Sequence, residues 1–310
     1  MLKKLILETS SRCNFTCKHC PISYNQTPAD FDINLLYKLK NTIENCEEIS
    51  LFGWGEPLIN PDFLKLVSLI REISKKVRIY FTTNGSLLNK KACDHFINNR
   101  VDYISISLDS LKNPKLREIP LDIIINNVKY LVQNGNDHPH IRFNVTLNAL
   151  NIYELPKIIE FSHSLGLKEI NCVFMTAFFK SQINQTLKNR ISLINEEFKK
   201  SRKVSEKLGI KLRLPDLSTP KTSCEIAVNE LFITSHGTIK PCLCYPKNLG
   251  NLSNQNIEDI LNSTEYNEEI KKIKNNGICD FCYKCQYLNI QNGKGFDFTD
   301  DMILKSIFNS

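Results

Sequence analysis

Nine of the twelve cysteines fall into two groups, and their spacing is the chemistry a first reading meets. Cys13, Cys17 and Cys20 lie in a C-x3-C-x2-C spacing. Three thiolates on one tight loop can hold three corners of a cubic 4Fe-4S cluster and leave the fourth iron without a protein ligand. An open position is what a catalytic metal site keeps and a structural one closes. The same loop admits zinc, with His19 or a distant residue completing a tetrahedron. Cys224, Cys242, Cys244, Cys279, Cys282 and Cys285 form the second group, which also suits a cluster or a four-thiolate zinc site. Cys46, Cys93 and Cys172 stand alone and read as small buried hydrophobes. No secretion signal precedes them, so the cysteines speak for metal or redox chemistry in a reducing cytoplasm rather than for disulfides.

The elements that must position these thiols are legible as alternation. The 310 residues amount to about two average domains. Hydrophobic residues at 42% and charged residues at 24% are ordinary for a globular protein and exclude intrinsic disorder. The mean hydropathy is −0.25, and no apolar run approaches the ~20 residues of a membrane span. Forty basic against 33 acidic residues give a net charge of +7, spread along the chain rather than gathered in a stripe, which argues against a nucleic-acid partner.

Short runs rich in Ile, Val, Phe and Tyr predict strands at Lys4–Glu8, Ile49–Phe52, Val77–Thr82, Tyr103–Leu108, Ile141–Leu147 and Ile170–Phe174, each covered on both faces. Helices are expected between them, with a sixth over Leu193–Leu208. Asn60 before Pro61 reads as a helix start, Asn151 with Glu154 as a capping box, and Gly166 as a stop. The chain is therefore expected to be α/β: an open, partial (β/α)6 parallel barrel over 1–212, with its site at the carboxyl ends of the strands. A small cysteine-rich domain follows over 213–290, with a hairpin around Ser235-His236-Gly237 and a helix near Glu265–Asn275. Residues 291–310 read as a partly ordered tail.

Here the motifs point to a family. C-x3-C-x2-C after the first strand of a six-unit α/β chain resembles the radical S-adenosylmethionine (SAM) superfamily, with His19 in the ring position before the third cysteine. Gly53-Trp54-Gly55-Glu56-Pro57 resembles the family's GGEP motif, Thr83-Asn84-Gly85 its TNG turn, and Ser107-Leu108-Asp109 its SLD segment. Arg117 stands where related members pair an arginine with the SAM carboxylate, and Thr146 to Gly166 also follows the pattern. The resemblance implies that Glu56 meets the SAM amino group, and that Gly53, Trp54, Gly55, Pro57, Asn84, Ser107 and Asp109 line the cofactor's site. Glycines let backbone approach a ligand closely, and an arginine fork suits a carboxylate.

The second group resembles the auxiliary-cluster appendages called SPASM and twitch domains. Six cysteines suit the single-cluster version, one 4Fe-4S held by Cys224, Cys242 and two of Cys279, Cys282 and Cys285, with Cys279 and Cys282 preferred. Cys244 is left as a bystander, a ligand or a hydrogen-atom donor.

The resemblance implies reductive cleavage of SAM to a 5′-deoxyadenosyl radical, which abstracts hydrogen from an unactivated carbon. The substrate is expected to be a small aminocyclitol or sugar that is oxidised or epimerised. The alternative within the class is epimerisation or thioether formation in a ribosomally made peptide. The first strand begins near residue 4, without the extension that often binds a leader peptide, which favours the small molecule. A low-potential donor such as flavodoxin or ferredoxin is the implied partner. Rivals of other classes are a zinc-dependent nucleic-acid-binding protein and a plain iron–sulfur electron carrier.

Overall fold

The computed structural model describes residues 2–112, 121–135, 138–217, 224–276, 282, 285 and 294–308. Seven parallel strands come first: β1 Lys4–Leu7, β2 Glu48–Leu51, β3 Arg78–Thr83, β4 Tyr103–Ser107, β5 His140–Leu147, β6 Glu169–Phe174 and β7 Lys211–Arg213. They pair in chain order, as successive right-handed crossovers require. Helices α1 Lys40–Asn45, α2 Phe63–Ile73, α3 Lys90–Asn98, α4 Leu121–Asn134, α5 Leu155–Ser164 and α6 Ile191–Leu208 fill the crossovers. The sheet remains open, with β7 and β9 at its edges.

Two features depart from the expected six-stranded, doubly covered sheet. The short β7 adds a seventh parallel strand beside β6. On the other side, the hairpin of β8 Glu230–Ile233 and β9 Ile239–Lys240 is built into the main sheet, because β8 pairs in parallel with β1 from Lys4↔Glu230 to Leu7↔Ile233. The cysteine-rich region is thus anchored in the same sheet as the barrel.

The strands also divide into two kinds. β1, β2 and β4 are buried almost throughout, whereas β3, β5 and β6 alternate buried with partly exposed positions. In β5, Phe143, Val145 and Leu147 are buried in the main apolar core, while Arg142, Asn144 and Thr146 take the other face. A half-buried strand shows this period of two, and here the second face is the polar interior of the barrel. At its amino-terminal end Arg142 donates to Ser105, Glu169 and Tyr80 at 2.6, 2.8 and 3.2 Å. Burial pushes the Glu169 carboxyl up, but its bonds from Arg142 and Arg213 outweigh that and hold it below the usual range.

The expected helix ends were met in part. Gly166 stops α5 with φ of +78°, and Asn60 accepts from the Asp62 N–H in the turn that leads into α2. No capping box forms at Asn151. Its side-chain amide instead donates to the carbonyls of Asp109 and Thr146, and Glu154 accepts from Ser110 and from the Leu111 N–H. A side chain with two donors and an acceptor can serve three backbone groups here, more than a helix end offers it.

Helix α7 Glu225–Asn229 precedes β8, α8 Ile257–Asn262 and α9 Thr264–Asn276 follow β9, and the expected tail contains helix α10 Asp301–Phe308. Before it, Ala177 donates to Phe296 and Phe298 donates to Ala177, at 2.9 and 2.7 Å. Leu304, Ile307 and Phe308 are buried with Cys282 and Phe298 in a second small apolar cluster. An apolar helix face found a partner, so residues 294–308 are packed within what was expected as a partly ordered tail.

The outer core centres on three phenylalanines from α2, β3 and α3, with ring centroids of Phe63–Phe81 at 5.3 Å and Phe81–Phe96 at 4.8 Å. Replacing fully buried Phe81 with Ala should cost about 3–5 kcal/mol, measured as a lower urea midpoint. A loss under about 1 kcal/mol would show that this layer can collapse around the gap.

Candidate active site

The carboxyl ends of the strands enclose a cavity of about 450 Å³. Cys13, Cys17 and Cys20 line it from the loop after β1, together with His19. Gly53, Trp54, Gly55 and Glu56 line it from the loop after β2, Asn84 from the turn after β3 and Ser107 from β4. The structure therefore brings together most of the residues expected at the cofactor's site. Pro57 begins a short helical turn and is buried behind it. Arg117 and Cys279 lie outside the described residues.

Close approach of backbone explains both glycines of the second loop. A Cβ on Gly55 would lie 2.4 Å from the carbonyl oxygens of Ser10 and Arg12, so the loop rests on the chain that leads into the cysteines. A Cβ on Gly53 would lie 2.4 Å from the Glu8 side chain. Glu8 is buried, accepts from the N–H of Trp54 at 2.8 Å and of Ser235 at 3.1 Å, and is pushed up in pKa by burial against the pull of those bonds.

Glu56 is only 2% exposed. Its oxygens accept from the Thr83 hydroxyl and the Asn84 N–H, each at 2.7 Å, and from the Leu58 N–H at 3.2 Å. Its carboxylate thus joins the ends of β2 and β3 at the cavity's edge. Asn84 in turn donates to Asn14 in the cysteine loop at 2.9 Å. Asp109 accepts from the Thr146 N–H at 2.7 Å, and its other oxygen stands 3.8 Å from His19 Nε2.

Three contributors were missed in the sequence. Glu8 ends an ordinary strand, and Gln182, from the segment after β6, donates to the carbonyl of Lys18 at 2.5 Å. Phe178, beyond β6, meets Trp54 edge-on at 5.8 Å. Only a strand-end position hinted at Glu8; nothing local hinted at the other two.

The donor set fits the expected groups. Three thiol side chains face one cavity large enough for a body bigger than an ion, and thiolates are the ligands of iron–sulfur clusters. Among the described residues, no group of three His, Cys, Asp or Glu side chains is set to hold a single metal ion, and the His19 ring faces Asp109. Trp54 Nε1 is buried with no hydrogen-bond partner among the described residues, a donor left for a ligand in the cavity.

A second site adjoins the first. Cys224 and Cys242 pack together around α9, while Cys244 packs against the α10 cluster that contains Cys282. Burial pushes the Cys242 thiol well up, and the neighbouring Cys244, Cys285 and Cys224 add to it. Cys244 is pushed up to about 12 by burial and then by Cys285, against the pull of Lys240. Cys285 is thus within electrostatic reach of Cys242 and Cys244, while Cys282 is 7% exposed under α10. Of the segment 242–244, it is Leu243 that lines the cavity.

The Radical SAM superfamily pattern matches residues 7–162, and the SPASM iron–sulfur cluster-binding domain matches residues 224–286. Among curated proteins, the chain is similar to a tungsten-containing aldehyde ferredoxin oxidoreductase cofactor-modifying protein of Pyrococcus furiosus (25% identity, over 78% of this chain and 71% of the relative). It is similar also to GTP 3′,8-cyclase of Helicobacter pylori (25%, over 87% and 91%) and to the SAM-dependent 2-deoxy-scyllo-inosamine dehydrogenase of Niallia circulans (20%, over 94% and 96%). Among solved structures, SAM-bound SuiB of Streptococcus suis shares the fold with a TM-score of 0.71 and 16% identity, over 97% of this chain and 76% of SuiB. SuiB has also been solved bound to its precursor peptide SuiA. These matches make SAM, a 4Fe-4S cluster and an auxiliary iron–sulfur cluster the cofactors, in place of zinc. The cysteine loop, the strand-end turns and the sheet that carries them have the origin their spacing implied: the chain belongs to the radical SAM superfamily.

Proposed function

We propose that this enzyme oxidises a small, hydroxyl-bearing substrate of the aminocyclitol or sugar class that carries no anionic group. The observation that carries the reading is the lining of the cavity. Thr82, Ser107, Asn144, Thr146 and Thr176 offer hydroxyls and amides, Phe174 and Phe178 offer apolar faces, and no lysine or arginine lines it among the described residues. A nucleoside triphosphate calls for charge-assisted bonds to its phosphates; a polyol calls for neutral donors and acceptors. Likeness to the inosamine dehydrogenase supports the same reading. Modification of a peptide is the second reading, favoured by the fold shared with SuiB across nearly the whole chain.

In this reading Cys13, Cys17 and Cys20 hold the catalytic cluster. Gly53, Trp54, Gly55, Glu56, Asn84 and Ser107 shape the site of SAM, with Pro57 and Asp109 fixing the loops behind it. Arg117 pairs with the SAM carboxylate. When bound, cluster and SAM together supply a 5′-deoxyadenosyl radical that takes hydrogen from the substrate. Hydroxyl and amide side chains orient the carbon to be attacked, and the aromatic wall of Trp54 and Phe178 keeps water out. Cys224, Cys242 and Cys285, with Cys279 or Cys282, hold the auxiliary cluster. Cys244 stays among these thiols with Leu243 turned to the cavity, which supports oxidation through the auxiliary cluster over hydrogen return from Cys244. The reducing partner is a low-potential carrier of the flavodoxin or ferredoxin kind.

Anaerobically reconstituted protein should carry about eight irons and eight sulfides, and the variant Cys13→Ala/Cys17→Ala/Cys20→Ala about half. Full iron in that variant would refute the placement of the catalytic cluster. Arg117→Ala should weaken SAM binding roughly tenfold or more, since a charge-assisted bond contributes about 1.5–3 kcal/mol. Unchanged affinity by calorimetry would remove Arg117 from the site.

The test of function is turnover of aminocyclitols, hexoses and GTP in deuterated water by wild type and Cys244→Ala with intact clusters. Expected are 5′-deoxyadenosine and a ketone from the polyol, with no deuterium on product carbon from either protein. Deuterium on the product from wild type alone would make the reaction an epimerisation with Cys244 as donor, and turnover of GTP would overturn the substrate class.

A further inference from the structure

Lys240 is a fully buried lysine, and neither the sequence motifs nor the reading of the site gives it a task. It ends β9 with no exposed surface, and its Nζ donates to the carbonyl of Ile307, in the last turn of α10, at 2.8 Å. The same helix end packs its Ile307 and Phe308 on Cys282, with Cys244 and Trp54 against the cluster. Two residues beyond Lys240 the chain reaches Cys242, so the ammonium lies where β9, α10 and the auxiliary cysteines meet. It is within electrostatic reach of Glu8, Cys242 and Cys244.

A buried ammonium is costly unless opposite charge surrounds it. A single carbonyl satisfies one of its three donors. Glu8, whose carboxylate also accepts from the N–H groups of Trp54 and Ser235, is one such charge. The cysteines add negative charge beside Lys240 once they are thiolates bound to iron.

We propose that Lys240 is a positioning and tuning residue of the auxiliary cluster: its ammonium favours the reduced cluster, and its bond to Ile307 clamps α10 over the cysteines. Nearby charge and hydrogen bonds are the levers by which a protein sets such a potential. The inference rests on the reading that Cys242 ligates that cluster. Its consequence is an acceptor better able to take the one electron left on the substrate carbon after hydrogen removal, while the substrate's hydroxyl proton goes to solvent and a carbonyl forms.

The test uses the full chain with Cys13, Cys17 and Cys20 replaced by Ala, which isolates the auxiliary cluster. Lys240→Gln, Lys240→Met and Lys240→Arg are compared for iron content and for midpoint potential at fixed pH. Expected is retention of about four irons, with the equilibrium constant for reduction about tenfold lower in the neutral variants, 59 mV more negative for one electron, and near the parent's in Lys240→Arg. Iron lost from both neutral variants but held at the parent's potential by Lys240→Arg also supports the role of charge. An unchanged potential in Lys240→Gln with iron retained overturns the proposal. So does an equal shift in Lys240→Arg, or loss of iron from all three, since packing alone would then explain the lysine. A parent that binds no iron overturns both statements, and only that outcome touches the assignment of the cluster.

Discussion

Buried carboxylates at the strand ends hold the mouth of the barrel together. Glu8 after β1 accepts the N–H of Trp54 in the next loop, Glu56 after β2 accepts the N–H of Asn84 in the loop after that, and Asp109 after β4 accepts the N–H of Thr146 in β5. Each ties the exit of one strand to its neighbour. A parallel sheet cannot do this with its ladder, which ends where the strands end. Charge-assisted bonds to backbone are stronger than neutral ones, and burial spares them competition from water. Loops that would otherwise vary become a rigid rim, and a reactive intermediate demands rigid walls.

The rim also explains why some motif residues do their work from behind. Pro57 and Asp109 are buried outside the lining and shape the cavity through what they hold, whereas Glu56 both ties two loops and lines it. Trp54, Ser107 and Asn144 line it as well. A sequence motif records that a residue matters; only geometry distinguishes contact from support.

Much of this was legible beforehand because it is local. Strand position follows from runs such as Ile104-Ser105-Ile106, the cysteine loop from its spacing, and the stop at Gly166 from a glycine with positive φ. What escaped depends on partners far along the chain. The capping box at Asn151 and Glu154 failed because Asp109, Thr146, Ser110 and Leu111 offered those side chains better bonds. Polar Arg142, Asn144 and Thr146 in β5 face a barrel interior that exists only because the sheet curls. The C-terminal helix found its place because Trp54 and Phe178 left apolar surface uncovered, and β8 joined β1 for want of any other strand on that side.

The pairing of β1 with β8 also orders events in time. During synthesis, β1 emerges early and can pair with β2, but its other edge has no partner until residues 230–233 have been made. Contacts so distant in sequence form late and slowly, and an unpaired edge is a site for wrong association meanwhile. The loop of Cys13, Cys17 and Cys20 leaves the carboxyl end of that same strand, and the hairpin bond from Ser235 to Glu8 is also missing until then. The nascent chain therefore holds its cysteine loop on a half-finished sheet until the C-terminal hairpin and helix close around it.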